Sequence, residues 1–429
     1  MNPLLSKLQP YPFERLRLLH ASLTANSAYT PISLGMGEPR HATPQLIKDA
    51  ITSNLAGLAT YPATSGELKL RQTIQGWLQR RYDLAVDAAT QILPVNGSRE
   101  ALFALAQMVI DPTTAADTTA APMVVCPNPF YQIYEGAALL AGADIHFVPS
   151  DAARNFAVDY AGVSSAVWAR TQLLFVCSPG NPAGAVMTLA EWKMLFDLSD
   201  RYGFVIASDE CYSEIYFRQE PPLGGLQAAA LLGRHDFKNL IAMTSLSKRS
   251  NVPGLRSGFV AGDAALIKPF LLYRTYHGSA MSPVVQAASA AAWADEAHVQ
   301  ENRAKYRDKF AQVTPLISAV MDVALPDAGF YLWAAVPDAF AGDDEAFSSQ
   351  LFAAYNVVVL PGSYLARNSH PGQSQSNPGN GRIRMALVAE TAECVEAAQR
   401  IVQFIQSKST ICHLPSATHH PPITTRYRT

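Results

Sequence analysis

Seven short runs rich in Val, Ile, Leu and Phe punctuate the chain: QILPV at 91–95, PMVVC at 122–126, DIHFV at 144–148, QLLFVC at 172–177, GFVIAS at 203–208, NLIAMT at 239–244 and SGFVAG at 257–262. Runs that are almost continuously apolar, without alternation, fit strands buried on both faces. Between most of them apolar residues return at helical spacing, as at 98–109, 130–141 and 188–201. The pattern therefore predicts an α/β sheet covered on both sides by helices. NLIAMT and SGFVAG are too close for a crossover helix, so the second of the two is expected to run antiparallel. The other strands are expected to run parallel, with loops converging at their carboxyl ends, where such sheets hold ligands.

Beyond this sheet, 281–311 reads as one long helix or two, and strands and helices alternate again to about 407. The expected organisation is a large domain over 45–280 and a smaller α/β domain over 281–408 together with 1–44. In the latter segment PISLGMGEP reads as an extended piece crossing toward the ligand site. Residues 409–429, rich in Pro, Thr and His without apolar period, read as a flexible tail, and 367–381 as a mobile loop.

Charge and cysteine content narrow the function. A formal net charge of -2 over 429 residues gives no electrostatic reason for nucleic acid or an anionic membrane as partner. The five cysteines lack C-x-x-C spacing and the histidines lack ligand clusters, which argues against a disulfide framework or a metal site. With no signal-peptide core and no apolar run of spanning length, a cytoplasmic protein is expected.

The stretch SLSKRSNVPGLRSG at 245–258 carries the first chemistry. Lys248 follows an apolar strand, where an ammonium is costly to desolvate unless it is paired, neutralised or covalently used. Ser245, Ser247 and Arg256 around it are what a phosphate requires: hydroxyl donors and a planar guanidinium. Alone, Lys248 could be a solvated strand-end residue. Three further stretches change the balance: SPGNPAG at 178–184, SDECYSE at 208–214 and VNGSREALFAL at 95–105.

Together, in this order and spacing, these stretches resemble the class I and II, fold type I aminotransferases that use pyridoxal phosphate, over about residues 31–405. The resemblance implies an aspartate aminotransferase-like fold, a mostly parallel seven-stranded sheet in the large domain and a smaller α/β domain. LGMGEPRHATP, SLSKRSNVPGLRSGFVAGD and PGSYLAR look like N-succinyl-diaminopimelate aminotransferases of bacterial lysine biosynthesis. A broader aminotransferase for alanine, aspartate or aromatic amino acids is the alternative, since side-chain pockets set substrate choice.

What the resemblance implies for single residues follows. Lys248 would condense with the cofactor's aldehyde and later carry a proton, and Asp209 would pair with the ring nitrogen. Asn181 and Tyr212 would bond the phenolic oxygen, and Tyr131 would stack on the ring. Ser245, Ser247, Arg256 and the backbone amides of Ser98 and Arg99 would hold the phosphate, joined by Tyr61 from a neighbouring subunit of a homodimer. Arg384 would grip the substrate's α-carboxylate, with Arg382 as its rival on the same face, and Asn181 and the backbone of Gly37 would lie against the substrate. Cys211 is expected to pack behind the cofactor. Arg40, Arg249 and Arg274 are candidates for the far end of a long substrate.

Overall fold

The structure is a computed structural model that describes residues 1–113, 120–369 and 376–411, the last three by backbone alone. The middle of the 367–381 loop and residues 412–429 of the tail lie outside these. The final helix, Thr391–Ile411, runs past the expected tail boundary at 409.

Thirteen strands form among the described residues: β1 (Ile32–Ser33), β2 (Ile92–Val95), β3 (Met123–Asn128), β4 (Asp144–Asp151), β5 (Ala157–Val158), β6 (Thr171–Cys177), β7 (Val205–Asp209), β8 (Leu240–Ser245), β9 (Gly258–Gly262), β10 (Tyr331–Ala335), β11 (Val357–Val358), β12 (Leu360–Pro361) and β13 (Arg382–Ala386). The main sheet has the order β2-β9-β8-β7-β6-β3-β4-β5. Its seven long strands are the seven apolar runs, and β5 is a two-residue addition, antiparallel to β4, too short to leave an apolar run. β9 pairs antiparallel with both β8 and β2, as its short connection requires.

Alternate residues of each strand feed two cores. In β6, Leu174 and Val176 join the cluster around Trp77, Trp192 and Trp293, whereas Leu173 and Phe175 join Tyr134, Leu102 and Phe270 on the other face. A continuous apolar strand is therefore what a sheet with helices on both sides needs. Local signals set the helix limits. Leu189–Tyr202 starts on a capping box between Thr188 and Glu191 and stops at Gly203, left-handed at φ 81°.

A second, three-stranded sheet, β10-β13-β12, and the β1-β11 pair share a separate cluster that includes Ile32, Phe330, Leu332, Met385 and Phe404. Helix Ala297–Ser318 packs there through Tyr306, Phe310 and Val313. Helix Pro283–Ala294, grouped with the smaller domain by the sequence reading, instead places Ala288, Ala292 and Trp293 in the core of the main sheet. No helix among the described residues is long and apolar enough to cross a membrane.

Candidate active site

The parallel strands of the main sheet end on one side. Ser98 after β2, Asn181 after β6, Asp209 at the end of β7 and Ser245 at the end of β8 all lie there, around a cavity of about 650 Å³. Gly37, Ser98, Arg99, Tyr131, Asn181, Asp209, Tyr212, Ser245, Ser247, Lys248, Arg256 and Arg384 line this cavity. Each residue to which the resemblance gives a cofactor or α-carboxylate role is thus gathered in one place except Tyr61, which is fully exposed, as Leu55 and Leu58 near it in the sequence are exposed.

Lys248 sits on the single helical turn Leu246–Arg249 that follows β8. Its Nζ donates to the carbonyl oxygen of Gly37 at 3.1 Å. Burial lowers its pKa to about 8; Glu38 acts against this, while Arg384 and Arg99 add to it. A far larger fraction of the amine than in an ordinary lysine is therefore unprotonated near neutrality, the form a nucleophile needs.

Asp209 is buried on the cavity floor. Tyr134 donates its hydroxyl to Oδ2 at 2.8 Å, and the Cys211 amide donates to Oδ1 at 3.3 Å. Burial raises the carboxyl pKa, and these hydrogen bonds, with the charge of Lys248, pull it back down. A buried acid so placed gains from a cation facing it. Sequence reasoning missed Tyr134, although it lies three residues after Tyr131 on one helical face.

At one edge, helix Ser98–Val109 begins after Gly97 at φ 84°, and its first residues, Ser98 and Arg99, line the cavity, so the positive end of the helix lies there. A Cβ on Gly97 would lie 2.6 Å from Nη2 of Arg256, so only glycine lets the guanidinium approach. Arg256 donates to the carbonyl oxygens of Pro253 at 2.9 Å and Asn96 at 3.4 Å. The hydroxyls of Ser98, Ser245 and Ser247 line the same cavity, and Cys211 packs behind two of them, its Sγ 3.0 Å from Ser98 Oγ and 3.8 Å from Ser245 Oγ.

The opposite wall comes from the second sheet. Arg384 on β13 donates to Asn181 Oδ1 at 3.1 Å and to the Gly35 carbonyl at 3.1 Å. Its guanidinium carbon lies 4.3 Å over the Tyr331 ring, and its Nε is buried without a partner. The Tyr331 hydroxyl is 2.9 Å from that of Tyr212, and a Cβ on Gly37 would collide with it. Nothing in the sequence marked Tyr331, which comes from a different sheet. Tyr11 and Phe13 also reach the cavity unannounced.

Arg382 stacks over Phe156 at 4.8 Å, outside the cavity lining. Two of the proposed far-end arginines are corrected by the structure. Arg249 and Arg274 are 1% and 0% exposed, and each is paired internally, with Glu296 at 2.6 Å and Glu100 at 3.1 Å. A buried guanidinium needs such a partner and is not free for a substrate. Arg40 pairs with Glu393 at 3.3 Å at the surface.

Comparison with known proteins fits this geometry. The family described as aminotransferase class I and II matches residues 29–401. An LL-diaminopimelate aminotransferase of Nitratidesulfovibrio vulgaris (strain DP4) is 30% identical over 405 residues, 93% of this chain and 97% of that protein. The crystal structure of an aminotransferase from Neisseria meningitidis Z2491 superposes with a TM-score of 0.88 at 55% identity, covering 94% of this chain and 99% of the other. Aminotransferase AspB of Helicobacter pylori 26695 gives a TM-score of 0.81 at 32% identity, over 93% and 99% of the two chains. With the match spanning nearly the whole chain and the site assembled at the strand ends, this protein belongs to the class I and II aminotransferase family.

Proposed function

We propose that this aminotransferase moves an amino group from glutamate to a long 2-oxo acid, N-succinyl-2-amino-6-oxopimelate, in two half-reactions at one site. The observation that carries the reading is that Lys248, Asp209 and Arg384 line a single cavity. Aminotransferases of this family and fold use pyridoxal phosphate, and the residues present suit it. The Gly97–Arg256 cradle with its serine hydroxyls suits a phosphate, and the buried carboxylate of Asp209 suits a protonated ring nitrogen. When bound, the cofactor supplies an aldehyde for the amino group and a ring that withdraws electrons from the substrate's α-carbon.

The protein's own groups do the rest. Lys248 Nζ, whose charged form burial disfavours, would hold the cofactor through its aldehyde carbon and, when freed by substrate, would take up and return the α-proton. Asp209, which accepts from the hydroxyl of Tyr134, would face the ring nitrogen and favour its protonated form. Tyr212, braced by Tyr331, and Asn181 would hold the phenolic oxygen by donating to it. Arg384, aimed by Asn181 and Gly35 and stacked on Tyr331, takes the α-carboxylate in two parallel hydrogen bonds. Tyr61, exposed like Leu55 and Leu58 near it in the sequence, reaches the phosphate of a second protomer, so the working unit is a homodimer with shared sites.

The stretches LGMGEPRHATP, SLSKRSNVPGLRSGFVAGD and PGSYLAR support the succinylated acceptor. A second reading, LL-diaminopimelate, has the name of the N. vulgaris relative in its favour. The two differ at the far end, where one substrate carries a succinyl amide and the other a free ammonium. Coupled spectrophotometric assays of the purified protein with glutamate or 2-oxoglutarate and either compound separate them. Turnover of LL-diaminopimelate without the succinylated compound would overturn the proposal, as would preference for alanine, aspartate or aromatic acids.

A further inference from the structure

Behind the cavity, Lys248 is held a second time, through its main chain. Asn302, on helix Ala297–Ser318 and 3% exposed, donates from Nδ2 to the carbonyl oxygen of Lys248 at 3.2 Å and lies 3.5 Å from that of Arg249. Its Oδ1 receives Asn251 Nδ2 at 2.8 Å and His41 Nδ1 at 2.9 Å. The other ring nitrogen of His41, Nε2, lies 3.0 Å from Nζ of Lys309, which is 0% exposed.

Donor and acceptor roles in this chain are forced. An ammonium only donates, so His41 Nε2 must accept from Lys309. His41 is then neutral, with its proton on Nδ1, and donates to Asn302 Oδ1. Two donors converging on that oxygen leave the amide nitrogen facing the Lys248 peptide. The tautomer and the amide orientation thus follow from the one group that cannot accept.

The electrostatic setting agrees. Burial is the largest cause lowering the pKa of His41, and Lys309 and Lys305 add to it while Glu390 opposes. Burial also lowers that of Lys309, with Cys394, Glu390, Glu393 and Asp308 acting the other way. The Tyr306 ring packs against both, 4.7 Å from the imidazole and 5.0 Å from the ammonium. Nothing in the proposed chemistry uses these three polar residues, and burying them is costly unless each is hydrogen-bonded, as each is here.

The tether also has a second end. The segment that carries His41 carries Gly37 four residues earlier, and the Gly37 carbonyl receives Lys248 Nζ. One short stretch, 37–41, therefore holds the lysine at its tip directly and at its peptide through Asn302.

We propose that Asn302, aimed by His41 and Lys309, is a positioning residue that fixes the peptide of Lys248 while Gly37 fixes its amine, so that the two contacts together set the lysine's reach into the cavity. The proposal rests on the reading of Lys248 as the reacting amine. It concerns this lysine's placement in the protein before any cofactor binds.

The test uses the ligand-free, full-length protein. Brief acetylation with acetic anhydride over a pH series, read by peptide mass spectrometry at Lys248, gives the midpoint at which the amine becomes reactive, expected near 8 in the parent. Asn302→Ala frees the peptide, lets water reach the amine and should move the midpoint upward by about half a pH unit or more, toward an ordinary lysine. His41→Leu should do the same and decides the matter if Asn302→Ala does not fold. His41→Gln, whose amide can accept from Lys309 and donate to Asn302, should restore the parent value, and Lys305→Met should leave it unmoved. Folded Asn302→Ala or His41→Leu with the parent midpoint would overturn the proposal, as would identical behaviour of His41→Leu and His41→Gln. The labelling needs no cofactor and no substrate, so a failure of the proposed transamination appears separately, as inactivity of a parent whose midpoints behave as stated.

Discussion

The hydroxyl of Tyr134 donates to Oδ2 of Asp209 across 2.8 Å, both groups buried beneath the cavity. Burial drives the Asp209 carboxyl toward its neutral form, and this bond is one of the forces opposing it. Tyr134→Phe should therefore raise the Asp209 pKa further. The loss of a hydrogen bond to a charged group, about 1.5–3 kcal/mol, should weaken pyridoxal phosphate binding about ten-fold or more. Cofactor titration by calorimetry measures this, and an unchanged Kd would remove Asp209 from the role assigned to it.

Lys248→Met should abolish both turnover and the covalent adduct that borohydride traps between protein and pyridoxal phosphate, detected by mass spectrometry. The pH dependence has a definite sign. The folded pKa of Lys248 is about 8, below the ordinary 10.5, so below about 8 the fold carries the full cost of a buried ammonium. That cost is relieved between 8 and 10.5 as the folded state gives up the proton first. Ligand-free Lys248→Met should accordingly be more stable than the parent at pH 7, and the gap should close as pH rises through that window. Denaturant melts at several pH values read the difference.

Arg384 has its guanidinium carbon over the Tyr331 ring and two nitrogens directed by Asn181 and Gly35. Arg384→Lys keeps the charge but loses the fork, so the KM for glutamate should rise about ten-fold. Arg384→Ala should raise it about a hundred-fold, since a bidentate charge-assisted pair is removed. Steady-state kinetics on glutamate decide, and a KM within two-fold of the parent, roughly 0.4 kcal/mol, would show that the carboxylate is bound elsewhere.

Gly97→Ala should affect phosphate binding alone. Its Cβ would stand 2.6 Å from Arg256 Nη2 at a backbone φ of 84°, so the guanidinium must retreat from the helix start. Affinity for pyridoxal phosphate should fall about ten-fold or more, whereas affinity for pyridoxal, which lacks the phosphate, should stay near that of the parent. Equal losses for both would mean that the phosphate sits elsewhere.

Tyr61 is fully exposed, so its proposed role is testable by mixing. Tyr61→Ala and Lys248→Ala proteins, each impaired, should regain part of the activity once subunits exchange, because one site in the hybrid then has both residues intact. An activity no greater than the sum of the two would count against shared sites.

Much of the main sheet was legible because its strands are buried on both faces and so appear as unbroken apolar runs. The reversal of β9 was legible for a second reason, the lack of chain for a crossover between NLIAMT and SGFVAG. Lys248, Asp209 and Asn181 were marked by polar residues placed directly after such runs. Tyr331 was not, because its place in the site depends on the second sheet facing the first, a relation no local spacing encodes. Arg249 and Arg274 misled for the converse reason: the glutamate partner of Arg274 lies far away in sequence, at Glu100, and that of Arg249 at Glu296. Sequence gives the charge of an arginine but not whether the fold has already neutralised it.

The antiparallel turn from β8 to β9 has a consequence for how this enzyme can vary. Lys248 and Arg256 stand on one short connection, residues 246–257, whose ends are pinned in adjacent strands by the Ser245–Gly258 pair. The connection works as a ruler between amine and guanidinium. Lengthening or shortening it by even one residue would change that spacing with no slack to absorb the change, so divergence and engineering alike are confined here to substitution.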